Sequence, residues 1–231
     1  MQKNVMILSG AGLSAASGLK TFRDNGGLWE EYSISEVCSI EGFKKNPLKV
    51  LDFYDERRAQ LSSVKPNKAH EIISSIKEKY PKNVHILTQN VDDLLERAGC
   101  KDVVHLHGFL PELRCNKCGF AFNIGYESYK NKICQKCGSN SVRHNIVMFG
   151  EQAPEYTRLY SLLEIVDLLV VIGTSGEVLP IDRFAMYSPK SILNNLDDPY
   201  NLAKYFSKAY IQSAISALPK IKYDIDEFME M

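Results

Sequence analysis

Asn4-Val5-Met6-Ile7-Leu8-Ser9-Gly10-Ala11-Gly12-Leu13-Ser14-Ala15 is the stretch on which the architecture turns. Its first six residues form a short apolar run stopped by glycine, which predicts a buried strand rather than a helix. Gly10 to Gly18 then reads as a tight turn opening a helix. Gly10, Gly12 and Ala15 fit G-x-G-x-x-A directly after that strand. Glycines there let the backbone approach a pyrophosphate, and a helix N-terminus stabilises its charge. Glycine pairs at strand ends also serve as plain turns, so the pattern needs its context.

Working outward, the same kind of run recurs. Val84–Thr88, Val103–Leu106, Ile146–Phe149, Asp167–Ile172 and Ser191–Leu196 read as further strands. Asp167–Ile172 is apolar after its first residue and closed by Gly173, as a strand covered on both faces should be. Helices are predicted over Pro47–Ser62, Pro66–Tyr80, Asp92–Ala98 and Glu155–Val166, and from Ser213 onward. Apolar strands alternating with helices predict an α/β fold with a doubly wound parallel sheet. Ligands bind such sheets at the carboxyl ends of the strands. Three polar loops fall there, 10–27, 89–93 and 173–177, the first and last of them glycine-bearing.

The segment after the glycine turn departs from a dehydrogenase. An oxidoreductase would place a second strand with an acidic residue about 20 positions on. Here the chain runs into Thr21-Phe22-Arg23-Asp24 and then Gly26-Gly27-Leu28-Trp29, a long polar loop. A loop able to close over a cofactor suits chemistry at its ribose, where water must be kept out.

Bulk composition excludes several classes. The chain has 231 residues, 45% of them hydrophobic and 24% charged, at a formal net charge of +0. That balance leaves no basic field for nucleic acid and no polybasic membrane patch. No apolar run reaches the ~18 residues of a membrane span, and Met1 to Gly12 is not built as a signal peptide. A soluble cytoplasmic protein is the simplest reading. Cys115-x-x-Cys118 and Cys134-x-x-Cys137 are separated by fifteen residues, each pair followed by a glycine. Four thiolates satisfy tetrahedral zinc with no open position, so the site is expected to be structural. Cys38 and Cys100 are left over. His105 and His107 are both candidates for catalysis or for a structural place, and their spacing puts them on one strand face.

Taken together, these residues resemble the sirtuins over nearly the whole chain. The resemblance is carried by Gly10-Ala11-Gly12-Leu13-Ser14 with Gly18 and Thr21-Phe22-Arg23, and by Thr88-Gln89-Asn90-Val91-Asp92. His107-Gly108, the four cysteines, Phe149-Gly150-Glu151, and Gly173-Thr174-Ser175 with Val178 and Pro180 come next in the family's order. It implies a Rossmann-like NAD domain with an inserted small zinc-ribbon and helical domain. The expected division is 1–32, 81–113 and 145–231 for the first, 114–144 for the ribbon, and 33–80 for the helical part. It also implies that Gly10, Ala11, Gly12, Phe22 and Arg23 meet NAD, a consumed co-substrate. Gln89, Asn90 and Asp92 would line the nicotinamide and ribose pocket, and Gly173, Thr174, Ser175 and Asn195 would hold the adenosine half. By the family's His-Gly pattern His107 is the general base.

The activity implied is NAD-dependent removal of acyl groups from lysine side chains of proteins, giving lysine, O-acyl-ADP-ribose and nicotinamide. Tyr54 and Arg57 share a helix face and look like the pair that recognises acidic acyl groups in desuccinylating and demalonylating sirtuins. A guanidinium fork and a phenol suit a terminal carboxylate. That class has a small residue upstream, and the register places Cys38 there. Val147 and Phe149 would pair with the substrate peptide as an added strand. Protein mono-ADP-ribosylation and a non-enzymatic zinc- or NAD-binding module are the alternatives. Three departures stand out: Ile181-Asp182 after Pro180, a short segment before Asn195, and no glycine near Gln212–Ala214.

Overall fold

The computed structural model describes residues 3–19 and 33–231. Its strands, in chain order, are β1 (Val5–Ser9), β2 (Val84–Thr88), β3 (Val104–His105), β4 (Gly108–Cys115), β5 (Ala121–Asn123), β6 (Val142–Ile146), β7 (Leu168–Ile172), β8 (Lys190–Asn195) and β9 (Lys208–Ile211). The described helices are α1 (Gly12–Ala15), α2 (Ile34–Val37), α3 (Ile40–Lys45), α4 (Pro47–Ser63), α5 (Lys68–Lys79), α6 (Leu94–Arg97), α7 (Tyr156–Leu163), α8 (Ile181–Tyr187) and α9 (Ala214–Glu230). Six strands form one sheet in the order β3-β2-β1-β7-β8-β9, every pairing parallel. β5-β4-β6 form a small antiparallel sheet.

The opening apolar run becomes β1, at the centre of the large sheet, with all five residues buried. Alternation decides which face each serves. Val5 and Ile7 pack with Ala69, Ile73 and Ile76 of α5 and Ala217, Leu218 and Ile221 of α9. Met6 and Leu8 pack on the opposite face with Leu159 and Leu163 of α7 and Phe184 of α8. Burying such side chains contributes roughly 1.5–3 kcal/mol each, and a sheet covered twice needs apolar residues at every position. That is why β1 and β7 carry no polar alternation.

A third cluster joins Val37, Cys38, Phe53, Tyr54 and Leu61 to Leu94, Leu110, Ile146 and Met148. It lies between α4 and the small sheet. On packing we propose a revised division: α5 belongs with the large sheet, and residues 108–146 with the small one. Four expectations differ in detail. The strand expected over Ile146–Phe149 ends at Ile146, because Val147 N–H turns to His107 O (2.9 Å) and Phe149 N–H to Cys38 O (2.8 Å). The turn after β1 opens a helix of only four residues. α2, α3, α8, β4, β5 and β9 have no counterpart among the elements expected from sequence. β3 stops at His105, so His105 and His107 do not share a strand face. Among the described residues no helix is long and apolar enough to cross a membrane.

Candidate active site

The carboxyl ends of β1, β2 and β7 bring three loops together. Their contact explains the glycines more directly than a ligand does. A Cβ on Gly10 would lie 2.7 Å from Gly173 O, and one on Gly12 would lie 2.8 Å from Gly173 Cα. Gly173 itself has φ +65, a conformation glycine adopts without strain. Gly12 N–H donates to Gly173 O at 2.9 Å. The glycine turn and the 173–175 loop therefore interlock before any cofactor arrives.

Side chains extend the same lock. Gln89 Nε2 donates to Thr174 Oγ1 (3.0 Å), and Asn195 Nδ2 to Thr174 O (3.0 Å). The neighbouring Asn194 turns elsewhere, donating to the carbonyls of Tyr210 and Gln212. Asn90 is held at three points: its N–H by Thr88 Oγ1 (3.0 Å), its side-chain amide by Ser14 Oγ (3.1 Å), and its carbonyl by His105 Nδ1 (2.9 Å). Ser14 Oγ donates to Asp92 Oδ2 at 2.9 Å and lies 3.3 Å from His70 Nε2. Asn67 N–H donates to His70 Nδ1, so the His70 proton sits on Nε2 and points at Ser14. Burial raises the Asp92 carboxyl above its ordinary pKa, against the hydrogen bonds from Leu94 and Ser14.

His107 stands beside this cleft. Nδ1 faces Gln89 O at 3.1 Å and must donate to it, which leaves the Nε2 lone pair to the Tyr156 hydroxyl at 2.9 Å. Burial lowers its pKa below the usual histidine value, with the Gln89 carbonyl opposing. The ring is therefore neutral at pH 7, the state a general base needs. The sequence marks Ser14 only as part of the glycine turn and Thr88 only as the first residue of the 88–92 motif, and it does not mark Tyr156 or His70 at all. Nothing in the local sequence of those two could, since each acts through a contact made by folding.

The acyl-pocket residues also come together. Tyr54 is buried, and its hydroxyl lies 3.4 Å from Cys38 Sγ, donating to it. Burial raises both groups' pKa, while the positive charge of Arg57 acts on each in the opposite direction. Arg57 is half-buried and donates to Gln60 Oε1 at 2.9 Å. Arg58, next in sequence, is fully buried and points away, donating to the carbonyls of Leu110, Glu112 and Glu127. Val147 is half-buried and Phe149 exposed. Glu151 fixes that segment by accepting from Met148 N–H (3.0 Å) and Arg143 Nη2 (2.6 Å). Phe22 and Arg23 lie outside the described residues. Ala11 begins the α1 turn, and Ser175 comes directly after Thr174 in the interlocked loop.

The sulfur atoms of Cys115, Cys118, Cys134 and Cys137 all lie within 4.8 Å of one another. Two of the separations are 3.6 Å, close to the roughly 3.8 Å edge of a tetrahedron with Zn–S of 2.3 Å. Gly119 (φ +72) and Gly138 (φ +70) turn each knuckle and donate to Cys115 O and Cys134 O. The four thiols fit a structural zinc.

A doubly wound parallel sheet with interlocked glycine loops at its crest, a neutral half-buried histidine beside them and an inserted four-cysteine module defines a Rossmann-like nucleotide-binding class with a zinc ribbon. The Sir2 family model matches residues 10–180. The chain belongs to the Sir2 family. It is 66% identical over 228 residues to a Campylobacter jejuni protein named NAD-dependent protein deacylase, covering 99% of this chain and 98% of that one. A Helicobacter pylori protein of the same name is 47% identical over 199 residues, covering 85% and 83%. Among solved structures, a Sir2 homologue in complex with NAD superposes with a TM-score of 0.84 at 32% identity, covering 98% of this chain and 91% of that one. A Sir2 variant with a deacetylated p53 peptide and 3'-O-acetyl ADP ribose gives 0.77 at 27% identity, covering 96% and 93%.

Proposed function

We propose that this chain is an NAD-dependent protein-lysine deacylase in which His107 is the general base and Tyr54 and Arg57 select acidic acyl groups. One observation carries the reading: His107, kept neutral by burial, is bonded to the carbonyl of Gln89, on the loop that the Gln89 and Asn90 side chains tie to Thr174 and Ser14. The chemistry available from bound NAD is transfer of its ADP-ribosyl unit to the acyl-lysine amide oxygen with loss of nicotinamide. The end products are lysine, O-acyl-ADP-ribose and nicotinamide.

The residues divide the work. Gly10, Ala11 and Gly12 bring backbone close to the pyrophosphate, with Phe22 and Arg23 beside it. Gln89, Asn90 and Asp92 line the nicotinamide and ribose end, and Gly173, Thr174, Ser175 and Asn195 hold the adenosine end. Their prior fixing by Ser14, Thr88 and Thr174 keeps the reacting groups placed, an effect worth several kcal/mol of barrier. His107 Nε2 takes the proton from a ribose hydroxyl, whose oxygen then attacks the former amide carbon, and water completes the release. Val147 offers its backbone carbonyl to the substrate peptide, with Phe149 bordering it, so peptide sequence is read loosely. The Arg57 guanidinium and the Tyr54 phenol meet the far carboxylate of a succinyl or malonyl group, with Cys38 leaving room.

The test is NAD-dependent lysine release from matched acetyl- and succinyl-peptides by wild type and Arg57→Met. Efficient succinyl removal that falls roughly tenfold to a hundredfold in the variant, with acetyl removal little changed, is the expected result. Acetyl removal with no succinyl removal overturns the acid-recognition part. ADP-ribose left on the protein, with no acyl ester formed, overturns deacylation in favour of transfer.

A further inference from the structure

The two histidines of His105-Leu106-His107 occupy opposite hydrogen-bond environments. His107 has one acceptor, the Gln89 carbonyl, and one hydroxyl that can donate. His105 has an acceptor at each nitrogen: Asn90 O lies 2.9 Å from Nδ1, and Glu96 Oε1 lies 2.7 Å from Nε2. A carbonyl cannot donate and an ionised carboxylate cannot either. Both contacts are hydrogen bonds only if both ring nitrogens carry protons. The imidazolium is the form that fits this pocket, and its side chain is only 11% exposed.

We propose that His105 is a positioning residue, clamped as an imidazolium by Glu96, that fixes the Asn90–Asp92 segment through the Asn90 carbonyl. The proposal rests on the functional reading in which that segment lines the nicotinamide end of the cleft. The groups facing His105 are consistent with the charge. Glu96 comes from α6, Asp92 from the loop after β2, and the Phe109 ring from β4 at 4.6 Å between centroids. Burial pulls the His105 pKa down. The hydrogen bond and charge of Glu96, the Asn90 carbonyl and Asp92 together outweigh it and raise the value above the ordinary one.

A histidine with a raised pKa holds its proton below that pKa and loses the clamp as pH rises through it. His105 then retains one N–H for two acceptors, and Asn90 is released. Loss of that placement lowers kcat/KM for NAD on the alkaline side. The acid side belongs to His107, which must stay neutral. One pair of histidines thus bounds the working range from both ends.

Glu96→Gln tests this, since it keeps the shape of a partly exposed side chain and removes the charge that holds the imidazolium. In full-length, zinc-loaded protein at pH 7.5, long-range proton–nitrogen NMR should show both His105 nitrogens protonated in wild type and one in the variant. The variant's KM for NAD should rise roughly tenfold, and the alkaline limb of kcat/KM should move down by about one pH unit. Two results overturn the proposal: a neutral His105 in wild type, or a neutral His105 in the variant with KM and the alkaline limb unchanged. The NMR reading is independent of turnover. A wild type that never releases lysine would sink the deacylase reading while still deciding the state of His105.

Discussion

The parallel-sheet body and the four-cysteine module solve the problem of holding a shape in opposite ways. The body buries two extensive apolar clusters, one on each face of the sheet, and adds polar contacts at the crest. The module buries only Leu113, Phe122 and Val142 together with Cys115 and Cys134. Such a core is too small to stand alone, and small modules of this kind rely on a metal. The body can therefore lose a side chain and keep its fold, whereas the module depends on four sulfurs acting together.

Metal removal sharpens this contrast most. Chelation, or Cys134→Ala, should unfold residues 115–142 and abolish deacylation, because structural zinc contributes on the order of 10 kcal/mol or more to folding. Proteolysis should then cut within 115–142 while the sheet body survives as a resistant fragment. A body that melts together with the module would break the comparison. His107→Ala is the next largest expected effect. Turnover should fall roughly 10²–10⁴-fold, the range for loss of a general base, with zinc content and thermal unfolding unchanged. Undiminished turnover removes His107 from the base role.

Acid titration is gentler and compares the two regions directly. Burial pushes His70, between α5 and the glycine turn, down to about 4, and His144, on β6, down to about 3 with Arg58 and Arg143 adding to it. Both are neutral when folded and take up protons when unfolded below the ordinary value of 6.5. Stability should therefore fall as pH drops from about 6.5 towards 4, by about 1.4 kcal/mol per pH unit for each histidine. His144→Gln should remove its share of that slope and His70→Gln the other. A flat profile in wild type would show that neither is held neutral.

Legibility divides along the same line. β1 and β7 are plain in the sequence because two covered faces demand unbroken apolar runs, and Gly10 and Gly173, which stop them, mark the crest. β9 is hidden: as an edge strand its residues Lys208–Ile211 are exposed or half-buried, so no run appears. β4 is hidden by Pro111 and by the polar residues Glu112 and Arg114 on its outer side. The four cysteines announce themselves by spacing alone. Tyr156, Glu96 and His70 cannot, since each meets its partner across 49, 9 and 56 residues of chain. The missing glycine near Gln212 leaves the backbone turn intact. Ser213 sits at φ -56 and caps α9, accepting from Ser216 N–H, so the turn needs no left-handed residue. Ile181, another departure, is fully buried at the start of α8.

Helix α4 carries two duties on adjacent positions. Tyr54 and Arg57 are the pair proposed for the acyl end, while Asp55 and Arg58, one position on from each, grip the loop between the cysteine knuckles. Asp55 accepts from Tyr129 N–H and Ser128 Oγ, and Arg58 donates to Glu127 O. On that reading a change of acyl preference comes by substitution at positions 54 and 57, within the room that the buried cluster around Tyr54 allows. It cannot shift the register of α4 by even one residue without tearing the ribbon from its mooring. Selectivity carried by the proposed pair is thus open to evolution by substitution and closed to evolution by insertion.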